Sequence, residues 1–404
     1  MKRLIKNFFK SESSSGIILL LFAILAMVCV NSSLRPYYDS FFTSNLNLDL
    51  SFIGIFKEMT IKLWVDDALM AIFFFLIGIE LKHEIVNGEL SHKPAIIKPL
   101  AAAIGGIIVP ALIFAHINEG VDQNMRGWAI PTATDIAFAV GVLNLFGSRV
   151  PKSLKVFLVA LAVIDDLVEI LIIAFFYSDN ISIKYIEMAF IVFLLLFILN
   201  RKQITAISPY LILGAMLWIF VLKSGVHATI AGVTLAMFLP CKIKHRRRNI
   251  APLYFMEKIL HKPVNYIILP IFAFASAGIV FEGMKLSILL DPLVAGIIFG
   301  LFVGKQVGVI VAVILINKLK IVYFFRGANV LQFYGVALLT GIGFTMSLFI
   351  GNLAFSDPEI LNKVRIGVMV GSAISAIIGS ILIYIGTKKM QKLQASKHHN
   401  IAAK

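Results

Sequence analysis

Long apolar runs dominate this chain, and many approach the ~20 residues that a helix needs to cross a hydrocarbon core. Twelve can be marked: Gly16–Val30, Trp64–Leu81, Leu100–Phe114, Trp128–Phe146, Val156–Tyr177, Tyr185–Leu199, Ile207–Leu222, Gly225–Leu239, Val264–Val280, Leu293–Ile316, Leu331–Phe349 and Ile366–Ile385. The expected fold is therefore an all-α polytopic membrane protein of about 12 transmembrane helices, with residues 1–404 forming one integral membrane domain. Composition agrees, since 59% of the residues are hydrophobic and the mean hydropathy of +0.92 is too high for a water-soluble globule. The net charge of +15 does not point to nucleic acid, because the basic residues sit in short segments between apolar runs and form no basic face. Cys29 and Cys241 are far apart in sequence and are expected at opposite membrane ends, which excludes a disulfide framework.

Loop charges test this parse, because cytoplasmic loops carry an excess of Lys and Arg. One side collects Lys2, Arg3, Lys6 and Lys10, then Lys82 and Lys93, Arg149 and Lys152, and Arg201 and Lys202. Lys242 to Arg248, Lys318 with Arg326, and the Lys388 to Lys404 tail follow on the same side. About 27 basic residues fall there against about nine opposite, which expects both termini in the cytoplasm, an even number of spans and, for a bacterial cell, the inner membrane. The basic Met1 to Lys10 segment before the first apolar run resembles a signal peptide, but no small-x-small cleavage pattern follows, so that run is read as an uncleaved span. In the exterior loop from Asn31 to Thr60, Leu46-Asn47-Leu48-Asp49-Leu50-Ser51-Phe52 alternates apolar and polar residues. This is a strand pattern, expected as a short external β-ribbon pairing through residues 45–52 with a second copy in a homodimer, since a lone ribbon is marginal in water.

Most spans lack an ionisable group near their middle. The fourth carries Asp135, the fifth Asp165, Asp166 and Glu169, and the tenth Lys305. At a helix centre each costs about 2.5 to 3.5 kcal/mol to insert, which packing alone does not explain. An ion-pair lattice that only holds helices together is the structural alternative, yet buried pairs are often replaceable by apolar residues without loss. Adjacent aspartates on a helix point about 100° apart and suit two roles. Asp166 can face a water-filled cavity and bind a cation, while Asp165 turns to another helix and meets Lys305. Glu169 lies within reach of both acids. The same geometry argues against an aspartyl protease, whose two carboxyls share one proton at roughly 3 Å.

Span four contains Pro131-Thr132-Ala133-Thr134-Asp135, where proline should break the helix and Thr132 with Asp135 reads as a capping box restarting a second half. Span eleven contains Gly341-Ile342-Gly343, a plausible second break. Four and eleven are seven spans apart, so spans 3–5 and 10–12 are expected as inverted repeats with interrupted helices 4 and 11. Such paired interruptions point to the binding site of a secondary transporter. Crossed half-helices also bring partial charges into the interior, where Asp135 suits the N-termini and Lys305 the C-termini.

With these motifs in place, the sequence resembles the NhaA-type sodium/proton antiporters over nearly its whole length. The resemblance is carried by Gly78-Ile79-Glu80-Leu81-Lys82, Gly127-Trp128-Ala129-Ile130-Pro131 through Thr134-Asp135-Ile136-Ala137-Phe138, and Ile164-Asp165-Asp166-Leu167. Leu222-Lys223-Ser224-Gly225-Val226-His227-Ala228-Thr229, Leu269-Pro270-Ile271-Phe272-Ala273-Phe274-Ala275, Gly304-Lys305 and Gly341-Ile342-Gly343-Phe344-Thr345-Met346-Ser347 complete it. It implies electrogenic exchange of Na+ or Li+ for H+, switched on at alkaline pH. Asp165 and Asp166 would carry the cation and protons, Lys305 would partner Asp165, and Asp135 with Thr134 would sit at the crossing. Glu80, Glu84 and Glu257 would serve pH response, and His227 more loosely, although a packed imidazole also fits its place beside Ser224 and Thr229. The chain departs from the family pattern at Val168 and Glu169, where small residues are usual, and at Gln306, where proline is usual. Glu169 is expected either to pair with Lys305 or to act on the aspartates by like-charge repulsion.

Two rivals remain. A cation channel needs a continuous pore, often with rings of acids from several subunits, which a lysine opposite acids suits poorly. A proton-coupled carrier of another solute is the second. No enzyme or cofactor is expected: Gly300 to Gln306 lacks the length and hydroxyl of a P-loop, and His83-Glu84 lacks the second histidine of a zinc helix.

Overall fold

The computed structural model describes residues 14–45, 59–88, 93–178, 181–241, 243–245, 248–250, 252–319 and 327–402. In chain order the helices begin with α1 (Ser14–Val30), α2 (Arg35–Thr43), α3 (Met70–Asn87), α4 (Lys93–Ile117), α5 (Ile136–Asn144), α6 (Lys152–Phe176), α7 (Ile183–Arg201), α8 (Ser208–Ser224) and α9 (Thr229–Phe238). Strands β1 (Ile243–His245) and β2 (Arg248–Ile250) then pair antiparallel, with Ile243 opposite Ile250. After them come α10 (Pro252–Pro263), α11 (Leu269–Ser276), α12 (Pro292–Phe299), α13 (Lys305–Lys318), α14 (Val330–Leu339), α15 (Phe344–Ala354) and α16 (Pro358–Ala402). Wider π-turns at Trp64–Leu69, Val264–Ile268 and Gly300–Gly304 lead into α3, α11 and α13.

Six helical stretches among the described residues are long and apolar enough to cross a membrane, or seven if α1 and α2, bent by 111°, count as one. The chain is a multi-pass membrane protein. The remaining expected spans are shorter, broken or carry acids: α8 and α9 are short apolar helices, span four is interrupted, and α6 holds Asp165, Asp166 and Glu169.

Several expectations change. The pattern of Asn31 to Thr60 predicts a loop with a ribbon, whereas in the structure α2 occupies part of it, started by Pro36 in its first turn, where a missing backbone N–H costs nothing. The proposed ribbon strand lies outside the described residues apart from Asn45, which makes an isolated antiparallel bridge to Thr60. Span nine was expected at Val264–Val280; the helix instead starts at Pro252 and stops at Ser276. The charged residues Glu257, Lys258 and Lys262 hide its first turns from an apolar window. The basic loop after α9 holds the hairpin of β1 and β2.

The chain divides into two compact units, one of Met1–Ile17, His92–Asp165 and Met284–Lys404, the other of Ile18–Ser91 and Asp166–Gly283, so the division falls within α6, between the paired aspartates. In lipid no hydrophobic force drives helices together, so close packing must come from small residues at the contact. In the first unit α4 and α13 meet where a Cβ on Gly308 would collide with the carbonyl of Gly105, and only a glycine pair permits that approach. In the second, α3 meets α9 with Gly232 against the backbone of Ala71 and Phe75. Lys82 Nζ donates to the carbonyls of Met237 (2.5 Å) and Leu239 (2.7 Å), putting a cation at the negative end of α9. The outer segments of this unit are tied by Asn31 Nδ2 donating to Ile279 O (2.6 Å), Tyr38 Oη to Phe274 O (2.6 Å), and an Arg35–Glu282 ion pair (3.0 Å).

Candidate functional site

The break in span four begins around Pro131, the middle of a short 3-10 turn, Ile130–Thr132, closed by Thr132, whose hydroxyl donates to Ala129 O at 2.8 Å. The chain then runs extended through Ala133 and Asp135 before α5 begins. The expected capping box is corrected here. Thr132 closes the preceding turn, and Asp135 is itself the N-cap, its Oδ1 accepting from Phe138 N at 2.9 Å. Asp135 therefore stands just before the half-helix and not within its first turn.

The second break, Thr340 to Gly343, separates α14 from α15. The two breaks bond to each other within the first unit. Asp135 N donates to Ile342 O (2.7 Å), Thr345 N donates to Asp135 Oδ2 (3.1 Å), and the Thr345 hydroxyl donates to the same oxygen. Ser347 Oγ donates to Ile130 O (2.7 Å), and Ser372 Oγ accepts from Phe344 N (3.2 Å). One carboxylate thus receives amides from the N-termini of α5 and α15, where anions are stabilised. Thr345, Ser347 and Ser372 were given no role from sequence. The first two lay inside the Gly341 to Ser347 motif, where a hydroxyl near the glycines was the available signal.

Asp165, on α6, is brought against Lys305, the first residue of α13 after the Gly300–Gly304 π-turn, in an ion pair between two buried groups. Such a widened turn re-aims the residues that follow it. The lysine stem runs past Gly106, where a Cβ would stand at ordinary contact distance, 3.6 Å, from Lys305 Cδ. Thr134 completes the group. Its Oγ1 lies 2.7 Å from Asp165 Oδ2 and 2.8 Å from Thr340 O. The hydroxyl has one hydrogen, so it serves one of these acceptors at a time. The sequence assigned Lys305 to the helix C-termini. In the structure the carbonyl at the end of α14 takes Thr134, and the ammonium takes Asp165. Asp165 Oδ1 is buried with no hydrogen-bond partner among the described residues, leaving it an acceptor oxygen turned inward.

Asp166 and Glu169 are also buried, on the α6 segment that belongs to the second unit. Glu80, Glu84 and Glu257 lie in that unit at the C-terminal part of α3 and on α10, Glu80 near enough to feel both other charges. His83, excluded from sequence as a zinc ligand, joins them: its Nδ1 is 3.0 Å from Glu257, and its ring meets Tyr254 edge-on at 4.6 Å. His227 makes a different contact, its Nε2 donating to Tyr177 O at 2.6 Å. A carbonyl only accepts, so that nitrogen carries a hydrogen in this arrangement.

Long apolar helices, two breaks bonded to one another and a buried carboxylate–ammonium pair beside them define a polytopic helical membrane protein with a charged site at two interrupted helices. The sequence profile described as Na+/H+ antiporter 1 matches residues 6–383. The chain belongs to the Na+/H+ antiporter 1 family. A relative named Na(+)/H(+) antiporter NhaA, from Pelagibacter ubique, is 47% identical over 385 residues, covering 95% of this chain and 98% of its own length. Another of that name, from Psychrobacter arcticus, is 47% identical over 379 residues, 94% of each chain. Na(+)/H(+) antiporter NhaA 1 of Pseudomonas syringae pv. syringae is 46% identical over 381 residues, 94% of this chain and 95% of the relative.

Proposed function

We propose that this chain is a Na+/H+ antiporter that also accepts Li+, works electrogenically and is activated at alkaline pH. The names of its relatives support Na+ and H+ as the ions, the family resemblance read from the motifs supports Li+, electrogenic exchange and alkaline activation, and one geometric observation carries the site: the buried Asp165–Lys305 pair beside the bonded breaks of two helices. In this reading residues 1–404 act as one transporter domain of twelve spans with inverted repeats, multi-pass in the bacterial inner membrane, both termini cytoplasmic. The protein works as a homodimer through residues 45–52.

Asp165 and Asp166 bind the transported cation and the protons, which compete for the same carboxylate oxygens. At high cytoplasmic pH the acids give up protons and take Na+, whose hard oxygen ligands they supply. A rocking of one group of helices against another exposes the ion outside, where protons displace it. Lys305 balances Asp165 when no cation is bound. Asp135 and Thr134 hold the crossing, and Glu80, Glu84, Glu257 and His227 set the pH response. Returning two protons per Na+ would move one charge inward, worth about 2.3 kcal/mol per 100 mV of inside-negative potential. Proton flux in everted vesicles, scanned over pH and over Na+, Li+, K+ and organic solutes, tests the reading. Flux driven by Na+ and Li+ and rising with pH is the expected result. Flux driven only by a solute, or cation conductance without proton movement, would replace it with a solute carrier or a channel.

A further inference from the structure

An apolar slot of about 270 Å³ lies wholly within the second unit, between α3 with its leading π-turn, α8 and α9. Its floor is made of small residues, among them Ala68, Ala71, Ala215 and Gly232, and its walls include Phe75 and Leu235. α9, which contributes Ala231, Gly232 and Leu235 to the lining, has only ten residues. The indoles of Trp64 and Trp218, 6.0 Å apart, also line it. Trp218 Nε1 already donates to Asp67 O (3.3 Å), so that tryptophan offers the interior no polar group.

We propose that this slot holds one acyl chain of a membrane phospholipid. The lining is apolar, which selects a hydrocarbon over any polar solute, since an occupant's hydrogen-bonding groups would go unsatisfied. The slot is continuous with the surface that a membrane-spanning chain turns toward lipid: Ile72 and Leu211 line it and are themselves exposed, and beside them Ile212 is 63% exposed. The tryptophan pair marks the end nearest the headgroups, where indoles collect in membrane proteins. The proposal is independent of the transport reading.

Bromine on an acyl chain quenches indole fluorescence on contact, which provides the test. The full chain, with Trp128→Phe removing the tryptophan outside this unit, is placed in lipid nanodiscs containing increasing fractions of a phospholipid brominated along its chains. Brominated and unbrominated chains compete for the same slot, so quenching follows the brominated fraction and its depth at full replacement is the readout. Ala215→Leu and Ala68→Leu each put extra carbons where about three methylenes of the ligand would lie, and each should cut that depth by roughly twofold or more if a chain sits beside Trp64 and Trp218. The same depth in the parent and in both folded variants would show only boundary contact and overturn the proposal. Where a leucine variant does not fold, Ala215→Val and Ala68→Val take its place, with the same two outcomes.

Discussion

Replacing Lys305 by Met removes the ammonium from a fully buried contact with Asp165 while keeping most of the stem volume beside Gly106. Breaking one side of a buried pair costs roughly 3–5 kcal/mol, because the surviving charge has no water to turn to. Thr134 is the other hydrogen-bond donor to Asp165 and has a single hydrogen that Thr340 O also draws on, so it cannot replace the lost charge. For a chain of this length, such a loss lowers the midpoint of thermal unfolding by on the order of 5 °C. The penalty should be largest at alkaline pH, where the carboxylate is charged, and should shrink as pH falls, because a proton then supplies what the lysine did. Adding Asp165→Asn to Lys305→Met removes both charges and should recover most of the stability, giving a coupling of about 2–3 kcal/mol. Scanning fluorimetry of the wild type, both single variants and the double variant in detergent reads this cycle. Additive losses, or a Lys305→Met penalty independent of pH, would refute the idea that these groups stabilise one another.

Three further outcomes follow from the same geometry. Asp135→Ala withdraws the acceptor shared by the starts of α5 and α15 and should cost roughly 2–4 kcal/mol, with Asp135→Asn milder because its amide oxygen still accepts; thermal unfolding of the pair checks this. Gly308→Ala forces α4 and α13 apart one turn from Lys305, and should cost about 1–3 kcal/mol and depress exchange in reconstituted protein. Glu169→Ala removes an acid within a turn of both aspartates and should move the activity-versus-pH curve toward acid; an unmoved curve would remove any role for that departure from the family.

How much of this was legible in the sequence follows from what each signal depends on. Ionisable residues inside apolar runs expose themselves by their insertion cost, so Asp135, Asp165, Asp166, Glu169 and Lys305 could be picked out from composition along the chain alone. The breaks could be placed because Pro131 and the Gly341-Ile342-Gly343 run act locally on the backbone. The pairing of Asp165 with Lys305 is also legible, as two opposite charges inside apolar runs, but the other partners are not, since they are set by the packing of distant helices. The carbonyl of Thr340 receives Thr134 where Lys305 was expected, and Asp135 holds two helix starts through Thr345, a residue more than two hundred positions away. The contact of His83 with Glu257 is not legible in the sequence, because Glu257 lies on α10 in a charged stretch that an apolar window leaves out of span nine. An apolar window misses an amphipathic first turn, and α2 stayed hidden in the Asn31 to Thr60 loop for the same reason.

The central claim is that charged side chains persist in this apolar interior because Na+ and protons occupy them in turn. The most direct measurement is sodium-driven alkalinisation inside proteoliposomes containing the purified chain, beside Asp166→Asn shown by its elution profile to be folded. Exchange by the wild type that is abolished in Asp166→Asn is the predicted result, and full exchange by the variant, or none by the wild type at any pH, would contradict it.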